Sequence, residues 1–350
     1  MVRFFLILSI FSGGLLFSEV KTIELVANFT PDTAYFTSVL RQRNVNASVV
    51  SSNLNHYGIG LKNHTFWEKF LHKWSLDFWK SIPIENSVQK IIFFNLSNRL
   101  RQDFKLRYLP KDKLLLFMWE PPVVLPQMYK KRAVRLFSKI YTWDDDLVDE
   151  VTYFKFYYPV LQPMLSDLPS YEQKKFCTFV GTCLKSRRKG CLYEERKNAI
   201  RFFESKGEEG FEFYGRNWDP SLYTSYRGPI ADKIQTIKNY RFSICYENSS
   251  TYNGYVTEKI FDCFAAGSVP IYWGAPNIEK YVPKDCFIDR RDFANMEELY
   301  AFLKNMTEEE YEGYIQRIRA YLDSDNAQLF SRAQFEQIFF DAIDITCSGS

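Results

Sequence analysis

Two short runs, KIIFFN at 90–95 and LLLFMW at 114–119, are apolar at almost every position. A strand with one face in water alternates apolar and polar residues, so a run without alternation is buried on both faces. Such runs belong to parallel sheets covered by helices on each side. FCTFV at 176–180, FSICY at 242–246 and VPIYW at 269–273 repeat the signal. Further strand readings fall at 23–27, 138–143, 211–214 and 286–289. Between the runs, apolar residues recur at helical spacing, as at Phe66, Phe70, Trp74 and Phe78, and at Leu192, Ile200 and Phe203. The spacing predicts helices over 66–80, 193–205, 230–239 and 257–266, the last stopped by Gly267, and over about 295–304, 307–322 and 328–343. Residues 152–175 break the rhythm with prolines at 159, 163 and 169 and mark a boundary. At 350 residues the chain has room for two domains. The expected fold class is α/β, with two Rossmann-like domains facing each other across a cleft.

In such sheets ligands bind outside the carboxyl ends of the strands, so the residues just past each run carry the functional information. Glu120 follows LLLFMW and is held by Pro121 and Pro122. A carboxylate there suits a general base. Gly215 and Arg216 follow FEFY; the glycine admits a ligand and the guanidinium suits a diphosphate. Past FSICY comes YENSSTYNGYVTEK at 246–259, polar and rich in small residues. Glu247 and Asn248 offer acceptors and donors for hydroxyls, Tyr255 precedes a helix, and Thr257, Glu258 and Lys259 start it. A helix start favours phosphate, Lys259 adds a cation, and Glu258 suits a ribose diol. Taken singly, these residues read as a loop acid, a surface arginine and a weak exposed ion pair. Their common placement at strand ends points to a ligand.

The stretch FSICYENSSTYNGYVTEKIFDCFAAGSVPIYWGAPNIEKYVPKDCFID, with ERKNAIRFFE and FEFYGRNW before it, resembles the signature of the α-1,3/4-fucosyltransferases, glycosyltransferase family ten. The likeness is dense over 175–290 and, in the first half, lies mainly at 114–146. It implies the GT-B-like arrangement of two facing Rossmann-like domains. It implies inverting transfer of L-fucose from GDP-fucose to a glycan hydroxyl, in α-1,3 linkage. Carried over by position, Glu120 is the general base, and Arg216, Asn248, Tyr255, Glu258 and Lys259 form the donor site. GDP-fucose is the donor substrate and no cofactor is required, Mn2+ being at most a non-essential activator. The acceptor is a glycan on a glycoprotein, a glycolipid or a free oligosaccharide. The implied plan is a signal peptide or signal anchor at 1–20, an acceptor domain at 21–155 and a linker at 156–175. A GDP-sugar domain at 176–325 and a C-terminal helix at 326–350 complete it. Three alternatives stay open. The fold can serve another nucleotide-sugar donor. Asp144 and Asp146 can form a D-x-D manganese site. The chain can bind a sugar without catalysis.

Composition narrows the field further. A net charge of +3, spread along the chain, leaves no footprint for nucleic acid. The densest basic run, KSRRKG at 185–190, reads as a solvated loop. There is no G-x-x-x-x-G-K-[ST], G-x-G-x-x-G or G-x-S-x-G, so nucleoside triphosphate, dinucleotide and serine-hydrolase readings lack their loops. The three histidines all precede residue 75, and the seven cysteines form no zinc pattern. Cys245, Cys263 and Cys286 read as core, whereas Cys177, Cys183 and Cys191 can supply a disulfide in an oxidising compartment. Arg3 and the apolar stretch 4–17 fit a signal peptide or an uncleaved anchor. The expected location is the secretory pathway, at the Golgi membrane in a eukaryote, or the membrane or cell envelope in a bacterium. Glycosylation sequons stand at Asn28, Asn46, Asn63, Asn95, Asn248 and Asn305; Asn248 is expected to be unmodified.

Overall fold

The computed structural model describes residues 6–7, 22–27, 48–49, 88–96, 109–207 and 210–343. The helix expected at 66–80, the histidines, Cys347, Asn28, Asn46, Asn63 and all of 1–20 except Leu6 and Ile7 lie outside these residues. The chain forms two compact units. One comprises 1–142, 147–155 and 339–350, and the other 143–146 and 156–338.

The first unit contains β1 (Leu6–Ile7), β2 (Thr22–Ala27), β3 (Ser48–Val49), β4 (Val88–Phe94), β5 (Leu114–Met118), β6 (Lys139–Thr142) and β7 (Tyr153–Lys155). β1 and β3 pair antiparallel. The other five make one parallel sheet in the order β2-β4-β5-β6-β7. Every residue of β5 is buried, which accounts for the unbroken apolar run. On one face Phe93, Leu114, Leu116 and Met118 pack with Phe137. On the other the rings of Phe94, Phe117 and Tyr141 stack, 5.2 and 4.6 Å apart, with Phe339 alongside. Each such side chain contributes about 1.5–3 kcal/mol by its burial. β7 was not expected, because it falls where the prolines begin. Asp149 explains it: one carboxylate oxygen accepts the N–H groups of Val151, Thr152 and Tyr153 and turns the chain back onto the sheet edge.

The second unit contains β8 (Lys175–Val180), β9 (Phe211–Tyr214), β10 (Tyr240–Tyr246), β11 (Val269–Trp273) and β12 (Ile288–Asp289). The sheet is parallel, in the order β12-β11-β10-β8-β9. The chain starts inside the sheet at β8, moves out to the edge at β9, then returns past β8 to lay down β10, β11 and β12. That reversal creates a switch point between the carboxyl ends of β8 and β10, where open α/β sheets bind ligands.

The helices and the last strand follow the expected spacing with three differences. Tyr193–Ser205 buries Ala199, Ile200 and Phe203 as predicted. Lys233–Ile237 is shorter than 230–239, because the Asp232 carboxylate caps the Gln235 N–H and fixes the start. The 286–289 strand keeps two residues, since Pro283 begins a 3-10 turn over Lys284–Cys286. The final helix is split into Asp325–Gln328 and Arg332–Ala342, with Ser331 accepting the Gln334 N–H at the second start. The helix Glu258–Ala265 ends at Gly267 in the left-handed region (φ +58°), where a Cβ would stand 2.3 Å from Leu168. Cys177, Cys183, Cys191, Cys245, Cys263 and Cys286 are free thiols, so no disulfide links the first three. Cys177 lies inside β8 with its Sγ against the Thr178 carbonyl, out of reach of a surface partner. Among the described residues no helix is long and apolar enough to cross a membrane.

Candidate functional site

A cleft of about 410 Å3 opens at the switch point of the second unit. Its walls are the ends of β8, β9 and β10 and the start of the helix Glu258–Ala265. Gly215 sets the first wall. Its φ is +139°, and a Cβ there would sit 1.9 Å from the Gly181 carbonyl oxygen. Only glycine lets β8 and β9 close this tightly, and the next residue, Arg216, is thereby delivered to the cleft. Arg216 is exposed, and its guanidinium has no protein partner among the described residues.

The opposite wall answers why the chain places two opposite charges side by side. Lys259 Nζ lies 3.3 Å from Glu258 and 3.0 Å from Glu247. Glu247 is fully buried, and its carboxylate also accepts the N–H (3.0 Å) and hydroxyl (2.7 Å) of Thr257. This differs from the expectation that Glu247 faces substrate hydroxyls. Its oxygens are taken by the structure behind the cleft. The consequence reaches the helix start. Thr257 is the N-cap residue, yet its hydroxyl is turned to Glu247 and caps nothing in the helix. The N–H groups of Lys259 and Ile260 donate to no side-chain cap among the described residues, so the positive end of the helix faces the cleft.

Electrostatics reinforce this. Arg196, Arg216, Lys233 and Lys259 line the cleft against the single carboxylate of Glu258. Burial pushes Glu258 up, but Lys259 and Lys233 outweigh it and bring the carboxyl down to about 2. Burial alone would lower Lys259, yet Glu247 and then Glu258 hold it well above the usual amine value. Lys233 is likewise raised against the effect of burial by Asp262, 2.8 Å away. The basic run 185–189 is mostly exposed and follows Thr182 and Leu184, which line the same cleft.

Asn248 lines the cleft and is held from behind. Its side-chain oxygen accepts from Arg196 (3.0 Å) and its amide donates to the Tyr255 hydroxyl (3.1 Å). Tyr255 is buried and does not itself line the cleft; its ring lies 4.6 Å from that of Trp143. Of the residues singled out in the sequence, the structure therefore brings Arg216, Asn248, Glu258 and Lys259 to one cleft, with Tyr255 one layer back. Arg196 and Lys233 were missed. Arg196 is buried, and its guanidinium donates to the Tyr246 carbonyl at 3.2 and 2.7 Å. Its position four residues before Ile200, on the inward face of the helix, was the available signal. Lys233 carried no comparable signal, since a lysine just after Asp232 reads as a solvated helix start.

Glu120 belongs to the first unit. It follows β5, half-buried, and its backbone is held on both sides. Asn95 Oδ1 accepts the N–H groups of Trp119 (2.9 Å) and Glu120 (2.8 Å), and the Tyr129 hydroxyl donates to the Glu120 carbonyl (2.8 Å). Asn95 is buried in the left-handed region (φ 64°), a conformation asparagine tolerates. Of the described sequons, Asn95 is buried, Asn248 has its amide bonded to the Tyr255 hydroxyl, and Asn305 is exposed. Of the D-x-D acids, Asp146 accepts from Asn253 and Asp144 from the Asp146 N–H, while Asp145 between them accepts from Tyr281 and Asn277. Among the described residues no three His, Cys, Asp or Glu groups cluster as metal ligands.

An all-parallel α/β unit with a cation-lined cleft at its switch point defines a nucleotide-binding class of domain. Residues 171–335 match the family model described as glycosyltransferase family 10 (fucosyltransferase) C-term, and the second unit is a domain of that family. The chain is 37% identical over 75 residues to the alpha-(1,3)-fucosyltransferase FucT of Helicobacter pylori, covering 21% of this chain and 16% of that protein. It is 38% identical over 103 residues to alpha-(1,3)-fucosyltransferase 7 of Rattus norvegicus, covering 28% of each. It is 30% identical over 199 residues to 4-galactosyl-N-acetylglucosaminide 3-alpha-L-fucosyltransferase 9 of Mus musculus, covering 56% of this chain and 50% of that protein. In these matches the chain spans half or less of the relatives' length. A crystal structure of an alpha1,3-fucosyltransferase shares the fold at a TM-score of 0.50 and 17% identity, over 72% of this chain and 78% of that one. The fold class is GT-B-like, with two Rossmann-like units.

Proposed function

We propose that this chain transfers L-fucose from GDP-fucose to a glycan hydroxyl with inversion, in α-1,3 linkage. The acceptor oxygen bonds to the anomeric carbon as the bond from that carbon to the β-phosphate oxygen breaks. The electron pair leaves with GDP, and Glu120 takes the acceptor proton. One observation carries the donor half of this reading: the Thr257 hydroxyl is turned away to Glu247, leaving an uncapped helix start beside Lys259 and opposite Arg216. The diphosphate gains charge as the sugar departs, and cations and open N–H groups that strengthen their hold at that moment lower the barrier. The relatives matched above are named fucosyltransferases, which supports the sugar. Glu258 serves the ribose diol. The reading takes the transfer as metal-independent; in its support Asn253 donates to Asp146, one of the two acids of the D-x-D pattern.

Thermal denaturation with GDP-fucose, GDP-mannose, UDP-galactose and GDP, each with and without EDTA, tests the donor. Saturation to one hundred times Kd adds about 2.7 kcal/mol. Stabilisation by GDP and GDP-fucose that survives EDTA is expected. Stabilisation by the uridine donor, or only with Mn2+, refutes the assignment. The apolar stretch 4–17 after Arg3 supports attachment to a membrane of the secretory pathway, at the Golgi in a eukaryote, or to the cell envelope in a bacterium. Full-length chain is then expected in the membrane fraction of its own cells; recovery wholly in the supernatant sinks that part alone.

A further inference from the structure

We propose that Asp145 is a positioning residue of the donor site, resting on the reading above: it fixes the turn that carries Tyr255. The turn is short, and Gly254 within it adopts φ +78°. Three contacts pin it from one side, and a fourth orients one of the pinning side chains. The Asp145 N–H donates to the Asn253 carbonyl (3.2 Å), and the Asn253 amide donates to Asp146 (3.0 Å). The Gly254 N–H donates to Asn277 Oδ1 (2.8 Å), and the Asn277 amide donates in turn to Asp145 Oδ2 (2.7 Å). Asn277 therefore has only one orientation that satisfies both neighbours, and Asp145 sets it. The Tyr281 hydroxyl, 2.6 Å from both Asp145 oxygens, holds that carboxylate in place. Trp143, two residues before Asp145, lays its ring against Tyr255. From Tyr255 the path continues through Asn248 to the cleft wall.

This gives the acidic triplet a task that a D-x-D reading does not. An asparagine at 145 keeps the size but replaces one of the two charged acceptor oxygens with an N–H2, so Tyr281 and Asn277 are left one neutral acceptor between them and the hold on the Asn277 amide, and through it on the Gly254 N–H, weakens. Charge-assisted hydrogen bonds are the strong ones, and losing one in a buried network changes affinity about tenfold.

The test uses the full chain with Asp145→Asn, Tyr281→Phe and the double variant. GDP affinity is measured by calorimetry, with KM for GDP-fucose, kcat, Tm and the effect of EDTA. Each single variant is expected to raise the GDP Kd and the donor KM about tenfold with kcat within about twofold, and the double variant to be no worse than the weaker single, because both break one network. Unchanged Kd and KM with a lowered Tm overturns the proposal, leaving Asp145 a fold residue only. Loss of wild-type activity in EDTA, with Asp145→Asn insensitive to added Mn2+, overturns it in favour of metal ligation. If Asp145→Asn does not fold, Tyr281→Phe, which removes one hydroxyl, decides alone. Wild-type chain that fails to bind GDP sinks the donor reading itself, whereas wild-type and variant binding equally sinks only the role of Asp145.

Discussion

Glu120→Gln is expected to lower kcat by about 10^2- to 10^4-fold while GDP-fucose affinity stays within about twofold. The range is that of a positioned general base removed from a proton transfer. Affinity is expected to survive because Glu120 belongs to the first unit and the donor cleft to the second. Asn95 and Tyr129 bond the backbone at 120, so an isosteric amide leaves those bonds intact. Single-turnover transfer to an acceptor, beside calorimetric titration of GDP-fucose, separates the two quantities. A variant that retains more than about a tenth of the wild-type rate removes Glu120 as the base. One that loses donor affinity in proportion to rate makes it a donor ligand instead.

The parts of this structure that were legible in the sequence share a physical cause. β5 reads as a strand because burial on both faces disfavours polar residues, and the run LLLFM has none. The strand-end rule then selected residues by position alone, and Arg216, Asn248, Glu258 and Lys259 do line one cleft. What the sequence withheld is direction. Glu247 and Glu258 are both acids flanking one polar loop, yet one is fully buried behind the cleft and the other is about half exposed within it. No periodicity survives through an irregular loop to say which way each points. Arg196 and Lys233 were passed over because a cation in a helix usually faces solvent. β7 was passed over because its formation depends on one side chain, Asp149, capturing three N–H groups, which no apolar pattern records. The acidic triplet shows the same limit. Its spacing fits a metal site, and only the positions of Tyr281, Asn277 and Asn253 give it another use.

Lys259→Met is expected to have two effects that can be pulled apart. It removes the cation that holds the donor diphosphate, and it strands the fully buried Glu247 carboxylate with Thr257 as its remaining close donor. An uncompensated buried charge costs about 3 kcal/mol or more, so unfolding free energy should fall by about that amount. Adding Glu247→Gln neutralises the stranded group, and the double variant should recover most of the stability but none of the donor affinity. The pH dependence carries the sign. Lys259 is raised above its ordinary value of 10.5, so its contribution is complete below that pH and fades as pH climbs through the elevated folded value. Glu258 is lowered from 4.5 to about 2, so its contribution is complete above about pH 4.5 and is lost as pH falls toward 2. Because Lys259 is the main cause of the Glu258 depression, the stability gap between wild type and Lys259→Met should be widest between those limits and narrow on acidification below about pH 4.5. Denaturant unfolding across that range, beside GDP titration at neutral pH, measures both effects. If the double variant recovers GDP affinity together with stability, Lys259 acts only by holding Glu247, and the diphosphate must be bound by Arg216 and Lys233 instead.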